Sequence, residues 1–325
     1  MTITHCLFNK QKYDVRMTDL EPPELPRGIA LAWGVAANPQ RGPKREMSVE
    51  RIVEAAVELA DADGIGAVSM AAVAAKLGFT PMSLYRYVSA KDDLLLLMQE
   101  EATGLPPEDH LVLDSWQERV RALFEAQVLV YLRHPWLLSL PISGSPITPN
   151  SSAWLDAGLA ALEQTPLTAE ERVAVALSVT GHARWYGSVL AGYTDAARTS
   201  GLTADEVTAQ EAALFDRVIT ADEYPALRRA IDDGVFLSTS DPFRFALERI
   251  LDGVQAYIAG LDRGEAHVSQ PDWVGADPAE LAGDKRYRDA LKAVRDAEKA
   301  LRAARKLERQ SMREAAERLA KAKKA

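Results

Sequence analysis

Cysteine is nearly missing from this chain. Its 325 residues contain one, Cys6, so no internal disulfide can form, and such usage fits a reducing, cytoplasmic compartment. Long apolar runs are missing too. No stretch reaches the roughly 18 uncharged residues that a membrane span needs, and the N-terminus lacks the basic-then-apolar pattern of a secretion signal. The histidines His5, His110, His134, His182 and His267 are never paired at i,i+4 and cysteine pairs are absent, so neither a cofactor nor a protein-held metal is expected. Gly64-x-Gly66 follows a helical pattern rather than a strand and is a turn, not a dinucleotide loop. No nucleophile elbow or phosphate loop occurs, and the chain is not expected to be an enzyme. Alternating Val/Ile/Thr runs of strand type are almost absent, whereas alanine and leucine dominate the long segments; the expected fold class is all-α.

What is present is apolar enough to fold: 47% of the residues are hydrophobic. The formal charge of −9 argues against a nonspecific nucleic-acid coat, but it hides an uneven distribution. Asp284 to Ala325 holds 15 basic and 7 acidic residues, a net +8, and residues 1–283 carry −17. An acidic body wears a basic tail.

Residues 1–47 read as a flexible leader and basic arm, with Met17 a second candidate start. Leu25 to Val35 is short and apolar, a docking helix. In Asn38 to Glu46, Arg41, Lys44 and Arg45 flank a Gly-Pro, which gives an extended basic arm. From Ser48 the pattern changes. Ser48 can cap a helix with Ile52, Ala55, Ala56 and Leu59 on one face, stopping at Asp63-Gly64. Ser69 opens a second helix with Met70, Val73, Ala74 and Leu77 inward, closed by Gly78. Thr80 caps a third, Thr80 to Val88, with Pro81 at its first position. Asp92 to Thr103 restarts as an apolar helix. Longer helices are expected over 115–134, 149–164, 168–196, 204–220, 222–233 and 242–262, with clear starts at Thr168-Ala-Glu-Glu and Asp241-Pro242. The domain scheme is therefore leader and arm 1–47, helix-turn-helix 48–98, helical body 99–265, linker 266–283 and charged helix 284–325.

Three helices joined by short turns outline a helix-turn-helix, a geometry that a small corner of an enzyme can also adopt. At 100° per residue, Pro81, Leu84 and Val88 of the third helix face inward with Tyr87 at that face's edge. Met82 and Arg86 point outward, and Ser83 and Tyr85 lie on opposite flanks. The free N-terminal end fits a major groove, its dipole toward phosphate. Arg86 offers the fork that reads guanine or grips phosphate, Ser83 can donate to either, and Tyr85 and Lys91 sit where backbone phosphates pass.

The stretch RIVEAAVELADADGIGAVSMAAVAAKLGFTPMSLYRYVSAKDDLLLLM, with its spacing LG-x-x-x-x-x-LY-x-x-V-x-x-K-x-x-L, resembles the DNA-binding domain of the TetR family of transcriptional regulators. The resemblance covers about Ser48 to Met98. It implies that Thr80, Pro81, Met82, Ser83 and Arg86 meet bases, that Tyr85, Tyr87 and Lys91 mainly hold the DNA backbone, and that Ser69 belongs to the DNA-facing set. Many relatives carry Arg or Lys early in the second helix, where this chain has Ala71 and Ala72. The Arg41/Lys44/Arg45 arm can compensate in the minor groove or on phosphate; a solvated linker is the equal alternative.

One such head binds one half-site, so a homodimer on a near-palindromic double-stranded operator is expected, and the resemblance implies an interface of two late helices per subunit, here 168–196 and 242–262. It also implies a pocket for a small-molecule effector. Phe124, Tyr131, Trp136, Trp154, His182, Trp185 and Tyr186 suit such a pocket, and singly each is better read as part of an ordinary helical core. Effector binding would then move the heads, with Asp92 to Thr103 as lever, the coupling being about 1–3 kcal/mol. The expected function is a ligand-responsive regulator, in that family usually a repressor; the alternative is an architectural or effector-independent DNA binder. The final helix has Leu291, Val294, Ala297, Leu301, Ala304, Met312, Ala315 and Leu319 near one stripe, interrupted by Glu308. It reads as a solvated helix held by charge pairs, a weak coiled coil or a helix docked on the acidic body, or an aid to DNA affinity.

Overall fold

The computed structural model describes residues 25–35, 47–142, 147–268 and 283–322. Among the described residues there are twelve α-helices, a few 3-10 turns and no strand. Arg41, Lys44 and Arg45 lie outside them, as does most of the expected linker. The chain divides between Glu265 and Ala266 into two compact units.

The first unit starts with α1, Arg27–Ala32, which lies against α5 (Lys91–Thr103). The approach is close at Gly28, where a Cβ would sit 2.9 Å from Asp93 Oδ1 and 3.3 Å from Asp93 Cα. Trp33 anchors the exit from α1 by donating its indole N–H to the Ile147 carbonyl at 2.6 Å.

The head follows from its caps. Ser48 accepts from Arg51 N to start α2, Val49–Asp63, and Ser69 accepts from Ala72 N to start α3, Met70–Leu77. Each satisfies one of the orphan donors of a helix start. Gly78, at φ 76°, ends α3 in the left-handed region that glycine enters without a Cβ penalty. The expected inner faces pack together: Ile52, Val73, Ala74, Leu84, Val88 and Leu94 are fully buried. Burial of a Leu or Val side chain contributes about 1.5–3 kcal/mol, so this small core supplies most of what holds the reading helix in place.

That reading helix is shorter than the sequence suggests. Only Pro81–Leu84, α4, is α-helical, and Tyr85 to Tyr87 continue as turns through Tyr87 N to Leu84 O at 2.8 Å. Thr80 stands at the N-cap but makes no capping bond; its hydroxyl lies 2.9 Å from that of Ser83. Pro81 is exposed rather than inward, because at the first helical position its ring projects from the end of the turn.

The body comprises α6 (Trp116–Arg133), α7 (Pro149–Ala161), α8 (Ala169–Ser200), α9 (Ala204–Val218), α10 (Pro225–Asp232) and α11 (Pro242–Asp262). Capping boxes start α6 at Ser115, α8 at Thr168 and α9 at Thr203. Helix α8 runs on to Ser200, four residues beyond expectation, because Gly201 at φ 71° is its first stop. The expected 222–233 helix starts only at Pro225, which fits a helix's first turn but not its interior. Phe124, Leu162, Ala183 and Leu251 are at the centre of the second core. Helices α6 and α8 pack tightly at Gly187, where a Cβ would meet Tyr131 Cβ at 2.8 Å.

The second unit holds α12, Lys285–Ala322, begun by Asp284 accepting from Tyr287 N at 2.8 Å. No helix among the described residues is long and apolar enough to cross a membrane.

Candidate nucleic-acid interface and the body that carries it

At the tip of the head, α4 and its trailing turns expose a compact set of side chains. Met82 is 72% exposed and Tyr85 45%; Arg86 and Lys91 are exposed and Ser83 half-buried. Leu84 and Val88 beneath them are at 0%. The surface is thus a rigid platform whose outer residues carry a guanidinium, an ammonium, hydroxyls and a thioether. Such a set can grip phosphate and read base edges in a groove. A helix of one turn has little macrodipole, so the side chains rather than a helix end define this surface.

Two expected members stand differently. Tyr87 is 8% exposed and belongs to the head's core; it supports the platform from below instead of lying on it. Its position at the edge of the apolar wheel was the signal, and the turn after Leu84 swings the ring inward. Ser69 is exposed, but its hydroxyl already caps α3.

The seven aromatic and histidine residues expected to line a pocket do not form one set. Phe124, His182 and Tyr186 come together, joined by Phe243: Phe124 lies 5.4 Å from His182, and Tyr186 stacks on Phe243 at 4.5 Å. Their polar tips are engaged. His182 Nε2 donates to the Phe243 carbonyl at 2.8 Å, and Tyr186 donates to Asp241 Oδ2 at 2.6 Å. Burial and then the Asp241 carboxylate push the Tyr186 phenol up to about 12. Asp241 also caps α11 through Phe243 N and Arg244 N, so one residue fixes both the helix start and the ring stack. Tyr131 is turned to the Gly187 contact, with burial raising its phenol. Trp154 is buried and donates to the Gly104 carbonyl at 3.0 Å.

Trp136 and Trp185 belong elsewhere. Trp136 is buried in the head's core, not the body's, and donates to Asp61 Oδ1 at 2.7 Å. Trp185 is 62% exposed, its edge against Phe243 at 5.0 Å. It stands with Leu177, Gly181 and Ser188 on an exposed face of α8, at steps of four, four and three. Phe245 on α11 is 64% exposed beside Arg249.

Sequence reasoning missed the connection between head and body. Asp61, near the end of α2, accepts from both Trp136 Nε1 and His134 Nδ1 at 2.7 Å. The 3-10 turn Pro135–Ser139 that carries Trp136 is held from behind by Arg184 of α8, which donates to the carbonyls of Leu138 and Leu140 at 3.1 and 2.9 Å. One short segment is therefore clasped by α2 on one side and α8 on the other. These partners lie 44 to 75 residues apart, beyond any local periodicity.

Residues 52–98 match the model of the bacterial regulatory proteins of the tetR family, and residues 108–258 that of the tetracyclin repressor-like C-terminal domain. The HTH-type transcriptional repressor DrrR1 of Streptomyces coeruleorubidus is 33% identical over 245 residues, 75% of this chain and 90% of its own length. An HTH-type transcriptional regulator of Saccharopolyspora erythraea is 30% identical over 222 residues, 66% and 84% of the two chains. Among solved structures, apo ActR of Streptomyces coelicolor is similar with a TM-score of 0.51 at 22% identity, covering 67% of this chain and 99% of that one. ActR has also been solved in complex with actinorhodin, at the same TM-score.

Proposed function

The chain belongs to the TetR family of transcriptional regulators, and from that premise we propose that it is a homodimeric repressor released from an inverted-repeat operator by a small-molecule effector. The observation that carries the DNA half of this reading is the platform of Met82, Ser83, Tyr85, Arg86 and Lys91 over a sealed core. Arg86 is assigned to base reading and Tyr85 and Lys91 to phosphate. Arg86→Ala is then expected to relax operator preference, whereas Tyr85→Phe weakens all duplexes about equally. Uniform loss in both variants would reassign Arg86 to phosphate.

Dimerisation is assigned to α8 and α11. Leu177, Trp185 and Phe245 present large apolar groups on faces that the monomer leaves open, and a two-fold partner would bury them. The effector is assigned to the ring stack of Phe124, His182, Tyr186 and Phe243. ActR binds actinorhodin; a ligand of aromatic character could part these rings, and the α11 start would move with them through Asp241. From there the route runs along α8 to Arg184, the Pro135–Ser139 turn and Asp61 in the head. This route joins the expected lever, α5, which packs against α2.

A second reading, an effector-independent DNA binder, is favoured by the close packing and satisfied polar tips of that same stack. Genomic fragments selected by the purified protein, with and without cell extract, separate the two. An inverted repeat enriched in both conditions supports the second, and one lost on adding extract supports the first. No enriched sequence would sink both.

A further inference from the structure

The charged helix α12 has a rhythm that the regulatory reading does not use. Val294, Glu298, Leu301, Arg305, Glu308, Met312, Ala315 and Leu319 follow one another in unbroken alternating steps of four and three. That is the heptad spacing of a two-stranded seam, which keeps these positions on one face of a helix. Five of the eight are apolar, and the four large ones stay open: Val294 is 54% exposed, Leu301 52%, Met312 65% and Leu319 65%. Tyr287 and Leu291 extend the line toward the N-terminus. Among the exposed large apolar residues of the helix, Leu307 alone stands off it. Covering such a row is favoured in proportion to the apolar area taken from water.

The three charged positions decide which partner fits. A parallel second copy would set Glu298, Arg305 and Glu308 each against its own counterpart, three like-charge layers in one seam. Antiparallel copies face each position with a different one. In one register Arg305 meets the partner's Glu308 and Glu308 meets the partner's Arg305. Leu301 then meets the partner's Met312, and Val294 the partner's Leu319, every contact occurring twice by symmetry. Glu298 meets the partner's Ala315, a small residue past which its carboxylate can reach water. A slip of one heptad in one direction sets Glu298 against the partner's Glu308. A slip in the other sets Met312 against the partner's Glu308 and Arg305 against the partner's Ala315. Charged layers add little stability of their own, but they fix register and orientation. Arg305 and Glu308 can also meet within one helix, three residues apart; what a second copy adds is cover for the apolar row.

A membrane surface suits this face poorly, because three charges divide it and the helix has no Trp or Phe.

We propose that α12 is a pairing element, forming an antiparallel two-stranded coiled coil with α12 of a second copy of this chain, with Arg305 and Glu308 setting the register. The two-fold axis passes between Lys306 and Leu307. Two copies that each carry +8 over residues 284–325 repel at long range, and Arg302 lies beside the partner's Arg309 at the flank of the seam. Pairing therefore strengthens as salt rises to about 0.15 M, where the Debye length is about 8 Å.

The test uses the full chain with Cys6→Ser, so that introduced cysteines are its only thiols. Leu301→Cys and Met312→Cys are made singly and together. In the proposed register each position faces the other across the seam. Two copies of a single variant hold their thiols 11 residue steps apart, roughly 16 Å along the axis, too far for a disulfide, whose Cα atoms lie about 4.4–6.8 Å apart. Under mild oxidation at about 0.15 M salt, the double variant is expected to form a covalent dimer in several-fold higher yield than either single variant. Adding Arg305→Glu puts like charges in both central layers and should lower that yield several-fold. Adding Arg305→Glu with Glu308→Arg should restore it, and circular dichroism reports whether the helix persists in each variant. Equal yields from the double and single variants overturn the proposal. So does self-linking of Leu301→Cys, which marks a parallel pair, or no recovery with the exchanged charges. The readout needs neither DNA nor effector, so it stands or falls apart from the regulatory reading.

Discussion

Replacing Asp61 by alanine tests whether the head is fastened to the body by the contacts that the geometry identifies. The carboxylate accepts two hydrogen bonds at 2.7 Å, from Trp136 Nε1 and His134 Nδ1. Its loss strands an indole N–H on a side chain only 4% exposed. An unsatisfied buried donor costs about 1–3 kcal/mol, but the Asp61 side chain is itself 34% exposed. Water can therefore enter part of the gap, which places the expected loss at about 1–2 kcal/mol. For a protein of this size that is a fall in Tm of roughly 2–8 °C. Thermal and denaturant unfolding at fixed protein concentration measure it, since a dimer's stability depends on concentration. Trp136→Phe removes the donor while keeping most of the ring, so a double-mutant cycle isolates the bond. A coupling above about 0.5 kcal/mol is expected. Additivity within the error of the cycle would show that the short distances carry no energy and that head and body are joined by packing alone.

Gly187→Ala places a Cβ 2.8 Å from Tyr131 Cβ, against ordinary carbon contacts of about 3.5–4.0 Å. Overpacking of about 1–3 kcal/mol outweighs the roughly 1 kcal/mol that alanine gains in a helix, so denaturation should show a net loss; a stabilised variant would contradict the contact. Glu248 is held below its usual range, first by its hydrogen bonds from Arg121 and then by that residue's charge. The pair's contribution is full above the ordinary value of 4.5 and fades as pH falls through the lower folded value. Both side chains are more than a third exposed, so Arg121→Gln should cost under about 1 kcal/mol at neutral pH, with the difference vanishing in acid; a difference that grows in acid would reverse the assignment. Trp185→Glu should shift sedimentation toward monomer without changing helix content, and an unchanged oligomer would remove α8 from the interface.

The head was legible in the sequence because its information is local. Ser48, Ser69 and Gly78 act on backbone groups within three or four residues, and the helical spacing of Ile52, Ala55 and Ala56 in α2 and of Met70, Val73 and Ala74 in α3 records which side is inward. For Tyr87 the wheel already pointed to the edge of the inward face, whereas the resemblance implied a contact with the DNA backbone; the turns after Leu84 leave the ring 8% exposed. The body's helices were readable for the same reason, to within a few residues at each end. Its aromatic residues were not, because nothing in the chain assigns Trp136 to the head's core and Trp154 to the body's. That depends on which helices pack, as with Asp61 reaching Trp136 and Arg184 reaching Leu140. The salient residue types were visible, and their companionship was a tertiary property.

Similarity to the family's DNA-binding portion begins at residue 52, yet the folded object begins earlier. Gly28 lets α1 lie flush on α5, and Leu31 and Ala32 close over the head's hydrophobic interior. A protein trimmed to begin at residue 52 would lose that lid and leave a greasy flank of α5 in water. Residue 52, where the match to the family's DNA-binding portion begins, is thus not where this molecule can safely be cut, and any isolated head should retain the chain from Leu25 onward.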